Sequence, residues 1–366
     1  MNELLLSPTT VSSDEVGFQI DKYNLQESSD AAKLGGLIEK KAPTIIDTIE
    51  SQLRELFELR DPSSSWSESE YELAVRARLG EHPESYGLWV YYPWKNTLVH
   101  ILGKSEFREV RTNRNMLKIS KEEQAVLSKA TLGVIGMSVG SGVALALAME
   151  NIGGTIRIAD MDTLDLSNLN RLRAGVTSLN LPKTTIVARE IAELDPYINV
   201  EVFDQGVTDE NIEDFLTRDN KKLDVLVEEC DALRIKILAR LKARELGIPV
   251  VMETSDRGML DVERFDLDSN IGILHGRISD DECLHLVRTG EWTQETMMKI
   301  MSIDELSDRM KLSLSEMGKT INRWPQLASE VTMGAGVAAQ AVRLVLLGNN
   351  NVKGRKYFDL NEFFMD

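Results

Sequence analysis

The sequence predicts an α/β protein whose main body is a mostly parallel sheet with helices on both faces, preceded by an N-terminal α+β accessory region. Two patterns carry this prediction. From Lys129 onward, short apolar runs alternate with helical stretches, and the first run closes on a glycine turn. Before about residue 109 the order differs, with helical segments followed by two runs rich in aromatic and β-branched residues.

In the main body, "TLGVIG", "TIRIAD", "INVEVF", "LDVLVEE" and "IPVVM" have strand length and composition. Between them, "SGVALALAME", "KTTIVAREIAEL", "DENIEDFL" and "ALRIKILARLKAREL" read as helices, the last with Gly247 beyond its end. Such alternation calls for right-handed crossovers and a sheet covered on both sides, a Rossmann-like arrangement. "GMLDVERFD" then alternates polar and apolar residues, as an antiparallel extension of the sheet would. Residues 276–325 are polar and interrupt the sheet elements, a position that commonly faces substrate. A long helix from Gln326 to Leu347 follows, with Gly334, Ala335, Gly336, Ala338 and Ala339 for close packing, and "RKYFDL" supplies a last strand.

In the accessory region, residues 1 to about 30 are polar and weakly periodic, which predicts a loosely docked arm. Ile45, Ile49, Leu53, Leu56 and Phe57 recur at helical spacing, and "SESEYELAVRARLG" predicts a second helix ended by Gly80. "YGLWVYYPW" and "TLVHIL" read as two strands joined across Pro93 to Thr97. Trp89, Tyr91, Tyr92 and Trp94 are expected to build a small core in preference to a ligand cleft. The expected domains are 1–109 and 110–366.

A formal charge of -17 provides no footprint for nucleic acid or an anionic membrane, both of which need clustered Lys and Arg. Two cysteines, Cys230 and Cys283, exclude a disulfide framework and a paired CxxC zinc site. The expectation is a cytoplasmic protein: "MNELLLSPTTVSSDEV" lacks a basic signal-peptide start, and no stretch approaches the roughly 20 apolar residues of a membrane span.

The stretch from Thr131 to Lys183 carries the chemistry. Its turn "GMSVG" places Gly136 and Gly140 between a strand and a helix, where backbone N–H groups and the helix N-terminus attract phosphate. Asp160 follows Gly136 by 24 positions (160 minus 136), close to where such folds present a carboxylate to ribose hydroxyls. The same five residues also fit G-x-S-x-G, with Ser138 as a nucleophile and His275 or His285 as its base. That elbow normally follows several earlier strands of its sheet, whereas Ser138 follows the first. The cluster after the second strand discriminates further: Asp160, Asp162, Asn168, Asn170, Arg171 and Lys183. An NAD-dependent oxidoreductase has no need of Arg and Lys there, while nucleotidyl transfer uses such cations to offset phosphate charge.

"VIGMSVGSGVAL", "IADMDTLDLSNLNR" and the following lysine resemble the adenylating domain of the E1-like superfamily, which includes the bacterial ThiF/MoeB/HesA group and eukaryotic ubiquitin-activating enzymes. The surrounding segments "YGLWVYYPWKNTLVHIL" and "NRWPQLASEV" are similar to a stand-alone ThiF-like subgroup, whose relatives are sometimes fused to a nitroreductase-like domain. The resemblance implies an adenylyltransferase that uses ATP and Mg²⁺ to activate a carboxylate: a ubiquitin-like protein, a peptide C-terminus or a small acid. It further implies Gly136, Ser138 and Gly140 at the phosphates, Asp160 at the ribose, Asp162 and Asn168 near phosphates and metal, and Arg171 and Lys183 on the phosphates. Asp231 in "VEECDALR" matches the family's Mg²⁺-binding aspartate. "RTNRN" resembles an R-x-x-R element through which Arg111 and Arg114 would reach the nucleotide of a homodimer partner. A non-catalytic scaffold of the same fold is the alternative, suggested by Ser138 in place of glycine, Ala232 in place of asparagine, and no obvious thioester cysteine.

Elsewhere, Asp256 and Arg257 read equally as a substrate-tail contact or a turn with a satisfied ion pair. His275 and His285 read as surface residues, and Cys230 as a packing residue.

Overall fold

The computed structural model describes residues 17–365. The chain forms two compact units, Met1–Ser120 and Lys121–Asp366.

In the first unit, strands β1 (Asp21–Tyr23), β2 (Thr44–Asp47), β3 (Leu88–Tyr92) and β4 (Thr97–Ile101) form a sheet of order β1-β3-β4-β2. β3 and β4 are antiparallel, as their short connection requires, whereas β2 joins β4 in parallel. Helices α1 (Ser28–Lys41), α2 (Ile49–Arg60), α3 (Glu68–Leu79) and α4 (Lys104–Arg111) complete the unit. A capping box between Ser67 and Glu70 starts α3, and Gly80 at φ +69° stops it.

Two expectations are corrected here. Residues 1–16 of the expected arm lie outside the described residues, but the remainder is no loose arm. Lys22 pairs with Val90 in the sheet, and Leu34 packs with Trp89 and Tyr91 in a buried cluster. The helix expected from Ile45 begins only at Ile49, because Ile45 and Ile46 pair with Leu98 and Val99 in β2. Pro43 and a β-branched run favour extended backbone, and a four-residue strand is too short for helical spacing to expose it. Trp89, Tyr91 and Tyr92 are buried, so these aromatics form core. Trp89 stacks on buried His100 with ring centroids 4.2 Å apart.

The second unit opens with α5 (Lys121–Leu127) and then alternates β5 (Thr131–Ile135), α6 (Gly140–Met149), β6 (Thr155–Ala159), α7 (Lys183–Leu194), β7 (Asn199–Phe203), α8 (Ile212–Thr217), β8 (Val225–Glu228), α9 (Leu233–Leu246) and β9 (Val250–Thr254). β10 (Met259–Glu263) follows, then α10 (Asp280–Thr289), α11 (Gln294–Met301), α12 (Asp308–Glu316), α13 (Ala328–Leu346), β11 (Gly354–Tyr357) and α14 (Leu360–Met365). The seven strands order as β11-β10-β9-β8-β5-β6-β7. β9 through β7 in that order are parallel, and β10 runs antiparallel to β9 and β11. Central β5 and β8 are buried along their whole length, which explains their continuous apolar runs. The chain leaves β5 toward β6 on one side and returns to β8 on the other. This makes the carboxyl ends of β5 and β8 a topological switch point, where α/β sheets open a crevice.

β8, β9 and β10 carry charge inside this core. Arg240 of α9 is fully buried between Glu228 and Glu263, its Nε lying 2.6 Å from Glu263. Lys236 reaches Glu228 at 2.7 Å. Burial alone would raise the Glu228 carboxyl, but the charges of Lys236 and Arg240 override it and hold the group at about 2. Removing one partner of a buried pair strands the other charge, at a cost of about 3–5 kcal/mol. Arg240→Ala is therefore expected to destabilise the chain by about that amount in urea unfolding followed by far-ultraviolet circular dichroism; a loss below about 1 kcal/mol would contradict this reading of the core.

Candidate functional site

The turn between β5 and α6 is built on Gly136. Its φ is +89°, and a Cβ there would lie 2.8 Å from the backbone of Glu229, so only glycine fits. Its N–H donates to the carbonyl of Ala159 (2.8 Å), joining the turn to the end of β6. Gly140 begins α6 against Val134, which a Cβ would approach to 2.9 Å.

Asp160, just past β6, locks this geometry. Its two carboxylate oxygens accept the backbone N–H of Met137 (2.6 Å) and of Asp162 (2.7 Å). Each oxygen retains a further lone pair, so a ribose-type hydroxyl can still be received. Beyond it, Asn168 is buried and its Oδ1 accepts the Asp165 N–H (3.0 Å), closing a short 3-10 turn over Leu166–Asn170. That turn delivers Arg171 to the glycine loop.

Arg171 donates through Nη2 to Ser138 Oγ (3.3 Å) and through Nη1 to Asn170 Oδ1 (2.8 Å). Its Nε is buried without a partner, and the guanidinium makes no salt bridge among the described residues. Burial lowers the Arg171 pKa, opposed by the negative charge of Asp231. A half-buried cation short of a counter-ion suits an incoming anion. Lys183 opens α7, is buried, and donates to Asp162 (2.7 Å). Asp231 follows β8 on a loop fixed by the Cys230 N–H, which donates to Glu228 (2.9 Å). Loss of hydration raises the Asp231 pKa; Lys236, Arg171 and Lys183 pull it back, and Glu228 pushes it up.

The switch point thus gathers Gly136, Ser138, Gly140, Asp160, Asp162, Arg171, Lys183 and Asp231, with Asn168 supporting the turn from behind. Arg111 ends α4, and Arg114 is exposed in the turn over Asn113–Asn115; both belong to the first unit. Asp162 and Asp231 are hard oxygen donors, and no cluster of three or more metal-ligating side chains exists among the described residues. Two carboxylates fit Mg²⁺, which typically takes one or two from protein and the rest from phosphate and water.

Other candidates resolve differently. Ser138 Oγ meets Arg171 in place of a histidine, and His275 is engaged by Asp261 (2.6 Å), so no serine triad forms among the described residues. His275 and His285 are both exposed, as expected of surface residues, and His275 adds an ion pair with Asp261. Cys283 is fully buried, and burial with the Asp280 charge pushes its thiol up to about 12. Burial likewise raises the Cys230 thiol, so neither sulfur is poised as a thiolate. Arg257 pairs with Asp359 (2.9 Å) and Glu362 (2.8 Å), while Asp256 accepts from the N–H and hydroxyl of Ser307. These internal partners satisfy the β9–β10 turn.

A family model matches residues 112–364 and is described as the ThiF family. The chain belongs to the ThiF family. One relative, an uncharacterised protein of Mycobacterium tuberculosis, is 42% identical over 276 residues, covering 75% of this chain and 38% of that protein. The tRNA threonylcarbamoyladenosine dehydratase of Bacillus subtilis is 30% identical over 157 residues, 42% of this chain and 60% of that enzyme. The sulfur carrier protein adenylyltransferase of Thermus thermophilus is 28% identical over 145 residues, 38% of this chain and 52% of that enzyme.

Beneath the glycine turn of this ThiF-family chain lies a feature that sequence reasoning missed. Glu229 packs under Gly136 and Gly140, and its carboxylate accepts the Glu253 N–H (2.9 Å). Glu253 is itself buried, with both side-chain oxygens unpartnered against Gly334 of α13. The only sequence signal was a glutamate just past one apolar strand, β8, and another inside the next, β9. Burial, with Glu330 adding, pushes Glu253 up to about 8, and Glu229 is raised by burial and by Glu253. The folded chain therefore holds a Glu253 proton that the unfolded chain releases near the ordinary 4.5. This group's contribution to stability is whole below pH 4.5 and is lost as pH rises through about 8. Glu253→Gln should accordingly flatten the decline of melting temperature across that window; a slope equal to that of the unsubstituted chain would show that Glu253 is ionised when folded.

Proposed function

We propose that the chain is an ATP-dependent adenylyltransferase that activates a substrate carboxylate as an acyl-adenylate and releases pyrophosphate. The observation that carries the reading is Arg171. It is a half-buried guanidinium with an orphaned Nε, held against the glycine turn by Ser138 and within electrostatic reach of Asp231.

In this reading, the turn at Gly136 and the N-terminus of α6 receive the phosphates, and Asp160 receives the ribose. Attack by the substrate carboxylate at the α-phosphate forms the new P–O bond as the bond to pyrophosphate breaks. Arg171 and Lys183 would offset the negative charge that builds on the phosphate oxygens, and no side-chain base is needed because the attacking carboxylate is already ionised. Asp231 and Asp162 would hold Mg²⁺, which supplies Lewis-acid stabilisation of the phosphates when bound. Lys183 is shared with Asp162 before nucleotide arrives, so that ion pair would have to loosen to give the ammonium to phosphate.

Membership of the ThiF family and the adenylyltransferase named among the relatives support the reaction class. The substrate would be a ubiquitin-like or sulfur-carrier-type protein, a peptide C-terminus or a small acid. A tRNA substrate, as the Bacillus relative's name indicates for that enzyme, is disfavoured by a net charge of -17. Arg111 and Arg114 would reach the nucleotide of a homodimer partner.

Exchange of labelled pyrophosphate into ATP, screened across small carboxylates and peptide tails, tests the reaction. Arg171→Ala should slow exchange about a hundredfold or more while leaving the melting profile intact. An unchanged rate removes Arg171 from the mechanism. Tight ATP binding by calorimetry without exchange on any substrate would favour a scaffold, and binding of NAD in preference to ATP would favour an oxidoreductase.

A further inference from the structure

The far end of the large sheet carries a second concavity that shares no residue with the nucleotide site. α13 covers β9 and part of β10 but stops short of β11, leaving a cavity of about 390 Å³ between helix and sheet edge. Strand alternation decides its chemistry. Leu260 and Val262 point into it, next to their register partners Lys356 and Gly354. Asp261 and Arg355 point to the opposite face, where they pair with each other at 2.6 Å. Val337 and Leu344 of α13 form the facing wall, and Phe358, 44% exposed, extends the apolar surface beyond β11.

Lys353 and Lys356 also line this cavity, both exposed and both without an ion pair or side-chain hydrogen bond among the described residues. Two unpaired cations thus stand beside an apolar trough. A purely apolar occupant leaves them unused. The volume lies in the range of small-ligand pockets, whereas a stable protein partner typically covers about 800 Å² on each side.

We propose that this groove binds a free medium-chain aliphatic carboxylic acid, its tail lying between α13 and β10 and its carboxylate held by Lys353 and Lys356. Binding here is non-covalent and independent of adenylation at the other end of the sheet.

The test is calorimetric titration of the full chain with dodecanoate below its micelle concentration, beside shorter acids and dodecanol. Saturable one-to-one binding is expected, strengthening about fourfold per added CH₂ until the cavity is filled. Lys353→Glu combined with Lys356→Glu should weaken dodecanoate at least about tenfold and spare dodecanol, since only the acid uses the cations. Val337→Trp should abolish binding of both; melting curves confirm that the variants fold, and the charge-reversal pair decides the matter if Val337→Trp does not. No saturable dodecanoate binding overturns the proposal, as does equal weakening of acid and alcohol by the charge reversal. A dimer in sedimentation that Val337→Trp dissociates, with no dodecanoate bound, would assign the groove to a second copy of the chain and equally overturn it.

Discussion

The site rests on the double acceptance by Asp160. One carboxylate takes the N–H of Met137 from the glycine turn and the N–H of Asp162 from the following segment, which ties the ends of β5 and β6 into a single piece. Charge-assisted bonds of this kind are short and directional. They fix the turn before any ligand arrives. Gly136 completes the constraint from below, because its approach to Glu229 leaves no room for a side chain. Preorganisation of backbone donors in this way spares the reorganisation that binding would otherwise require.

From that anchor the functional side chains are delivered by short, stiff devices. The Asp165–Asn168 turn aims Arg171 at Ser138, the first residue of α7 supplies Lys183, and the Glu228 carboxylate fixes the loop that presents Asp231. Glu228 in turn depends on Lys236 and Arg240, so the buried ion network on one side of the sheet positions the acidic residue at its end. Such a network is a costly way to stabilise a core, since desolvation offsets much of the attraction. Its value lies in orientation.

The two faces of the sheet edge show how strand alternation sorts this charge. Asp261, Glu263 and Arg355 share one face, where Asp261 pairs with His275, Arg355 with Glu305 and Glu263 with Arg240, while Leu260 and Val262 face the open groove beside α13. A one-residue shift in register would exchange the faces, burying the charges without partners. The register of β10 with β11 is thereby strongly specified, despite the exposure of the edge strand.

Much of this was determined by the sequence alone. The alternation of strands and helices from Thr131, the glycine turn, the acid after β6 and the Asp162–Lys183 cluster are local patterns, and local patterns survive in one dimension. They sufficed to indicate a nucleotide fold and to favour ATP over NAD. Tertiary structure decided the rest. Whether Ile45 belongs to helix or strand depended on pairing with Leu98, half a unit away along the chain. The orphaned Nε of Arg171, the ion pair that occupies His275 and the carboxylates of Glu229 and Glu253 beneath the turn arise between residues far apart in sequence. A side chain's charge state is set by what surrounds it, and no window of sequence contains those surroundings. The sequence could name the groups proposed to meet phosphate; only the fold could say which of them arrives without a partner.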